Sequence, residues 1–398
     1  MKKLIALCIA ICFCVLFVGC KISCPKSPEG PVDITDYLPQ KPDKKPDMDM
    51  SGLSKKYWNS VKVKDGFLYF GSFDKKSVGI GVFGGFIEKR DFEGNKLWEK
   101  YSSVDGYCDR IYELPNDKGY LVFSEYYREY LVKFDISGNE EWIVKDPKYF
   151  SALSVENDGL IVVFGIKTNS DSPSALNDIK IVKFDFAGNI IKQKSIIDSL
   201  TFTEGNKEIY TTIMQFNSIV KKPDGYILTG RIDCVFNSFG DISHGPSVQV
   251  FIDNDFGFIK QEYFDASKIS RYVALDDGFV AVIGTVGGYS RQLKKLDYNM
   301  NEMWSLDLKY TTSKDSLGLV AYAGVTIVDG ILCIVGFTTQ YSNNSPFIVH
   351  VSFDGDVLWE SGLLQNKANS VTDIYSYENG YFVCFDGAPS FEWKYYNI

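Results

Sequence analysis

The chain carries six arginines against 36 lysines. A guanidinium presents paired N–H donors that suit carboxylates, phosphates and sugars, and it stacks well on aromatic rings. Five of the six arginines fall where a ligand could meet them. Arg110 and Arg271 stand near the starts of strand-like runs, in Cys108-Asp109-Arg110 and Ile269-Ser270-Arg271-Tyr272. Arg128, Arg231 and Arg291 lie in or beside loops joining second to third strands, which in a ring of blades would share one face with those strand starts, together with Tyr126, Tyr127, Tyr289 and Tyr341. Arg90 belongs to a hairpin strand. The candidate ligand-binding set is therefore Arg110, Arg128, Arg231, Arg271, Arg291, Tyr126 and Tyr289.

Nucleophilic catalysis is poorly provided for. A Ser-His-Asp or Cys-His site needs a placed histidine, and only His244 and His350 occur. His350 sits in the strand run Phe347-Ile348-Val349-His350-Val351 and is expected to pack there. His244 lies in a long loop segment. No catalytic residue is assigned. If the chain were an enzyme, loop carboxylates such as Asp109, Asp241 and Asp373 would have to supply the acid and the base, with separated pKa values in one pocket. The cysteines show no Cys-x-x-Cys spacing and no adjacent histidine, which argues against a zinc site. Asp253-Asn254-Asp255-Phe256-Gly257 resembles the start of a calcium loop. It stands where the other repeats carry a turn, so it reads as a turn. No metal and no cofactor is expected.

The elements that must position these residues follow from two repeated phrases. One is Lys89-Arg90-Asp91-Phe92-Glu93-Gly94-Asn95-Lys96-Leu97-Trp98. It returns as Lys133 to Trp142, Lys183 to Asn189, Lys295 to Trp304 and Phe353 to Trp359. In Asp-x-x-Gly-Asn the carboxylate can accept backbone N–H bonds and the glycine can take the left-handed conformation that closes the turn. The second phrase is an Asx-Gly turn followed by an apolar run, such as Asp158-Gly159-Leu160-Ile161-Val162-Val163-Phe164. Seven such units recur, at a period of roughly 40–55 residues, which marks a repeat fold built from strands. Each unit reads as strand, Asx-Gly turn, buried strand, variable loop, strand, Asp turn and Trp strand.

The expected fold is all-β: a β-propeller of seven four-stranded blades. Six or eight blades stay open, since the fourth unit has an insertion near 195–216 that can hide an extra hairpin. The last unit ends after three strands, so a strand from Val32 to Leu38 is expected to close the ring. Trp98, Trp142, Trp304 and Trp359 are expected to pack between blades, each burial contributing roughly 2–3 kcal/mol. Lys192 and Gln261 stand where two units lack the tryptophan, and Met300 replaces one turn glycine.

The N-terminus carries an address. Lys2 and Lys3 precede an apolar run from Leu4 to Val18, which is short for a membrane span and suits a signal segment. Phe17-Val18-Gly19-Cys20 resembles the bacterial lipobox, although leucine is usual where Phe17 stands. The resemblance implies cleavage after residue 19 and acylation of Cys20. Residues 1–19 are expected to be a signal peptide, 20–54 a proline-, lysine- and aspartate-rich extended tether, and 55–398 the propeller. The formal net charge is −9, and loss of Lys2 and Lys3 makes the rest more acidic. That argues against nucleic-acid binding.

The repeats resemble the tryptophan-docked blades of quinoprotein-dehydrogenase-like propellers, whose motif ends Asp-x-x-x-Gly-x-x-x-Trp. Here the Asp-to-Trp spacing is one residue shorter. The resemblance covers roughly residues 55–398 and implies inter-blade packing for the four tryptophans. No quinone-binding residue carries over. The expected function is a non-enzymatic, lipid-anchored binding or scaffold module of the bacterial envelope, monomeric and facing outside the cytoplasm, with a protein or glycan partner. The alternative is an extracellular hydrolase or lyase acting on glycans.

Overall fold

Each repeated phrase builds a hairpin, and the hairpins assemble into blades. The computed structural model describes residues 39–42, 54–74, 82–104, 108, 110–124, 130–145, 150–167, 176–196, 203–204, 207–208, 212–235, 242–264, 268–284, 291–306, 319–340, 343–362, 370–387 and 390–397. Blade 1 is β1 (Ser54–Val63), β2 (Gly66–Asp74), β3 (Val82–Arg90) and β4 (Lys96–Ser102). Blade 2 is β5 (Arg110–Glu113), β6 (Tyr120–Ser124), β7 (Tyr130–Phe134) and β8 (Glu140–Lys145). Blade 3 is β9 (Phe150–Glu156), β10 (Gly159–Lys167), β11 (Leu176–Phe184) and β12 (Ile190–Ser195). A small hairpin, β13 (Thr203–Glu204) and β14 (Lys207–Glu208), follows in the insertion. Blade 4 is β15 (Thr212–Lys222), β16 (Gly225–Val235), β17 (Ile242–Asp253) and β18 (Phe258–Phe264). Blade 5 is β19 (Lys268–Leu275), β20 (Gly278–Gly284), β21 (Arg291–Asp297) and β22 (Glu302–Leu306). Blade 6 is β23 (Leu319–Val328), β24 (Ile331–Gln340), β25 (Asn343–Val351) and β26 (Val357–Gly362). Blade 7 is β27 (Ser370–Tyr377), β28 (Gly380–Gly387) and β29 (Ser390–Asn397).

The chain is thus a seven-bladed, all-β propeller, as its repeats predict. Within each blade the strands pair in chain order, antiparallel throughout. First strands neighbour first strands, as β9 does β15 and β23 does β27, so they form the inner ring. Second strands are covered on both faces: Leu160 to Val163 are all fully buried. Fourth strands are outermost and expose apolar residues such as Leu97 and Ile191. The extra hairpin in the insertion belongs to no blade, so it leaves the blade count at seven.

The Asp turns explain the repeated phrase. Asp91 Oδ1 accepts the Asn95 backbone N–H at 2.7 Å, and the Asn95 side-chain amide donates to Oδ2 at 3.0 Å. The amide of Asn95 holds the Asp91 carboxyl below the usual carboxylate range. The same two bonds recur at Asp135, Asp185 and Asp297, each at 2.8 Å. Asp253 closes the equivalent turn through Asp255 and Gly257 N–H groups. Residue four of the turn is left-handed, with φ of 86° at Gly94 and 83° at Gly138. Phe256 and Met300 hold that conformation without being glycine, at φ 60° and 70°. Both side chains are buried, and that burial offsets a strain of about 1–2 kcal/mol.

Apolar clusters fill the spaces between blades. Ile161, Val163 and Ile181 of blade 3 pack on Phe216, Leu228 and Val250 of blade 4. The ring joins blade 7 to blade 1 through aromatics: Phe67 meets Phe382 edge-on at 5.0 Å, and Phe92 stacks on Phe382 at 5.4 Å. Polar latches add to this. Lys89 of blade 1 donates to the Tyr120 hydroxyl of blade 2 at 3.0 Å, and His350 of blade 6 meets the Tyr381 hydroxyl of blade 7 at 2.9 Å.

The tryptophans dock on the next blade's Asp turn. The Trp142 indole N–H donates to the Phe186 carbonyl at 3.1 Å, and that of Trp304 donates to the Phe353 carbonyl at 2.9 Å. Trp98 covers Gly138 so closely that an added Cβ would stand 2.5 Å from its ring. Where blade 3 carries Lys192, its ammonium takes over the contact, donating to the Asn254 carbonyl at 3.1 Å and pairing with Asp255. Among the described residues no Asp turn stands before Trp359, since blade 7 shows three strands there. Trp359 is 46% exposed, against 5% for Trp142.

The expected closing segment, Val32 to Leu38, lies outside the described residues, as do Cys20 and the signal segment. Pro39 and Gln40, which follow directly, lie against the outer side of blade 2. Gln40 and Ile143 exchange both backbone bonds, at 2.8 and 2.9 Å. Pro39 covers Gly188 beside the Trp142 ring.

Candidate functional site: the inner ring between blades 7, 1 and 2

Inner strands must turn their free edges toward the axis, and the register shows how they differ there. In six of them a bulge interrupts the pairing with the second strand. Directly after it come Asn59, Ala152, Ser218, Arg271, Gly324 and Asp373, opposite Phe70, Val163, Thr229, Val282, Val335 and Cys384. Arg110 takes the same place in blade 2, opposite Phe123, where β5 begins. One level of the ring therefore carries two arginines, an aspartate and small or polar residues. Turn and core positions repeat from blade to blade, but this level does not. Bulges commonly re-aim side chains beside functional sites.

A cavity of about 330 Å³ opens between the inner strands of blades 7, 1 and 2. Its walls include Asn59 and Lys62 from β1, Arg110, Tyr112 and Glu113 from β5, and Asp373 and Tyr375 from β27. Asp373 is fixed. Its Oδ1 accepts the Ile374 N–H at 3.0 Å, and its Oδ2 accepts the Tyr375 hydroxyl at 3.0 Å. Gly324 of blade 6 makes room for it, since a Cβ there would stand 3.0 Å from Oδ1. Arg110 is different. Its backbone carbonyl accepts the Cys108 thiol at 3.2 Å, while its guanidinium has no hydrogen bond or ion pair with another described residue.

Other groups shape the field. Tyr272 of β19 donates to the Ile219 carbonyl at 3.1 Å. Burial pushes its pKa up to about 12, the Tyr112 and Glu156 charges adding to this and Arg110 opposing it. Arg110 is thus in electrostatic reach of a tyrosine from blade 5. Burial draws Lys62 below the ordinary lysine range, with Glu113 pulling the other way. Glu113 is held by the Lys64 N–H, 3.0 Å from each carboxylate oxygen. A broader depression of about 530 Å³ continues over the turns, lined by Lys64, Glu113, Asp117 and Glu156 among others. Glu156 is already bonded there to Lys221 at 2.9 Å and to the Tyr226 hydroxyl at 3.0 Å.

The sequence candidates divide three ways. Arg110 lines the cavity. Arg271 holds the equivalent register position on the inner strand of blade 5. Arg231 lies on β16, a second strand, and Arg291 begins β21, a third strand. They stand one and two strand spacings farther out, about 5 and 10 Å. Arg128, Tyr126 and Tyr289 lie outside the described residues, as do Asp109 and Asp241. Sequence reasoning missed Tyr112, Tyr272, Tyr375 and Lys62. Counting back from each Asx-Gly turn would have placed them on inner strands.

No protein-family profile matches this chain, and no curated protein does. Solved propellers do resemble it. The WD40 domain of Pan2 from Neurospora crassa is 12% identical, over 91% of this chain and 97% of that one, with a TM-score of 0.49. The β-propeller domain of the Trilobed protease from Pyrococcus furiosus is 10% identical, over 85% and 92%, with a TM-score of 0.48. The WD40 β-propeller domain of Doa1 is 10% identical, over 90% and 95%, with a TM-score of 0.46. At such identities the likeness concerns the fold.

Proposed function

We propose that this chain is a lipid-anchored binding module of a bacterial envelope, whose ring recognises an anionic group of a protein or glycan in its central channel. Cys20 carries the lipid, residues 20–54 tether the ring, and the propeller presents the site. The observation that carries the binding reading is the Arg110 guanidinium, half-buried at a cavity of about 330 Å³ and unpaired among the described residues. Asp373 and Glu113 stand in the same walls but neither bonds this guanidinium, and an incoming carboxylate or sulfate would give the half-buried cation a directly bonded partner. Charge-assisted bonds of this kind contribute about 1.5–3 kcal/mol. The cavity is at the small end of ligand sites, so it suits one sugar unit or one acidic side chain.

Two assays separate the parts of this reading. Full chain in detergent is applied to an array of acidic glycans and acidic peptides, beside an Arg110→Ala variant. Binding that the variant loses supports the channel site; binding unaltered in the variant removes it. Lipid labelling in cells tests the anchor. Cys20→Ser should lose the label and leave the membrane, and a label that persists would refute acylation at Cys20.

A further inference from the structure

We propose that the rim of the ring between blades 2 and 3 is a docking groove for an extended, proline-flanked segment, and that the chain's own residues 39–42 fill it and fasten the tether there. The groove has two parts. One is the outer edge of β8, where Ile143 turns its N–H and carbonyl away from the blade and Gln40 takes both, at 2.8 and 2.9 Å. The other is the bare Gly188 on the Asp turn of blade 3, where an added Cβ would stand 2.7 Å from the Pro39 Cβ and 3.4 Å from the Trp142 ring. Trp142 is buried, whereas Trp98 and Trp304, docked on turns in the same way, are half-buried.

The sequence of the segment fits a single pair. Hydrogen-bonded pairs recur at every second residue of an antiparallel ladder. The pairs flanking Gln40 and Ile143 would therefore be 42 with 141 and 38 with 145. Pro42 has no N–H to donate, so pairing stops on that side. Pro39 gives up nothing, because an N–H at its position would point away from β8. Gln40 and Lys41 are exposed, while Pro39 and Pro42 are half-buried. The groove thus reads backbone and proline. Strand addition at a sheet edge is a general mode of peptide capture. The consequence for the leash rests on the acylated Cys20 proposed above. β1 starts at Ser54 on the inner ring, 34 residues from Cys20, whereas Pro39 is 19 residues from it. At about 3.4 Å per extended residue, fastening cuts the longest reach from about 115 Å to about 65 Å. It also moves the point of departure from the channel to the rim.

The test uses the full chain in detergent and a labelled synthetic peptide of residues 35–44, read by fluorescence anisotropy. Gln40→Pro in the chain removes the N–H that the Ile143 carbonyl accepts and empties the groove of its own segment. The peptide should bind this variant at least tenfold more tightly than the unaltered chain, where the tethered segment competes at high effective concentration. Pro39→Glu in the chain opens the groove by a second route, and circular dichroism checks that both variants keep the ring. Peptides carrying either change should not bind. Deuterium exchange at the Ile143 amide should be at least tenfold faster in both variants than in the unaltered chain, and added peptide should slow it again. Equal binding to unaltered and altered chains, no binding to either variant, binding of the altered peptides, or an Ile143 amide that exchanges alike in all three chains would each overturn the proposal. Lipid labelling at Cys20 is read separately: a chain that lacks the label and passes these tests keeps the groove and loses only the leash.

Discussion

Trp304 and Trp359 occupy equivalent places in successive blades, yet they should differ sharply in what they contribute. Trp304 donates its indole N–H to the Phe353 carbonyl at 2.9 Å and lies on Gly355, where an added Cβ would be 3.0 Å from the ring. Truncating a fully buried tryptophan to alanine costs about 3–5 kcal/mol. Trp304 is only partly covered, so about 2 kcal/mol is the packing share, and the hydrogen bond adds about 1. Lys295 also reaches the Phe353 carbonyl, at 3.4 Å, so that oxygen keeps a donor when the ring goes. Trp304→Ala should therefore lose about 3 kcal/mol. Trp359 has no turn to dock on among the described residues; its ring contact there is with His350, 4.7 Å away. Trp359→Ala should lose about 1 kcal/mol. The difference, about 2 kcal/mol, is roughly thirtyfold in the unfolding equilibrium. Urea unfolding followed by tryptophan fluorescence and circular dichroism, with slopes compared for two-state behaviour, reads both. Equal losses in the two variants would refute the docking account of blade cohesion.

Three further outcomes follow from the same geometry. Lys192→Trp should raise the urea midpoint by an amount equivalent to about 0.5–2 kcal/mol, because an indole can reach the Asn254 carbonyl as Trp142 reaches Phe186; a lower midpoint would count against it. Met300→Gly relieves the left-handed strain but removes a buried side chain, so a net loss of about 1–2 kcal/mol is expected by the same unfolding assay. Burial lowers the His350 pKa below the ordinary histidine value, so the folded state favours the neutral ring. That stability is present above the unfolded pKa of about 6.5 and is lost as pH falls through the folded pKa. His350→Gln should flatten the melting-temperature profile in that window, and an unchanged profile would exclude His350 as its source.

The parts of the fold that were legible are those set by local chemistry. An Asp that caps its own turn, an Asn that returns its amide to that Asp, and a glycine at positive φ are specified within five residues. Repetition then reveals the blade. Lys192 and Met300 looked like failures of the pattern, yet each keeps its place, one by an ammonium in the tryptophan's position and one by burial at positive φ. The inner-ring site was much less visible. A bulge after Tyr57, and its counterparts after Ile269 and Val371, breaks the two-residue alternation by which strands are read. Tyr112, Tyr272 and Tyr375 come from blades 2, 5 and 7, and only the ring brings them to one axis. Arg110 was found through its residue type. Arg231 and Arg291 were grouped with it by face alone, and face does not encode distance from the axis. Gln40 against Ile143 had no signal, because one backbone pair leaves no pattern in the side chains.

The proposal that the channel recognises an anion meets its most direct test in one titration. A uronic-acid oligosaccharide or an acidic peptide drawn from the array is titrated into the full chain and into Arg110→Ala, at two salt concentrations. The account predicts at least a tenfold weaker dissociation constant in the variant and a binding constant that falls with salt in the unaltered chain. Equal affinities, or preference for neutral ligands, would contradict it.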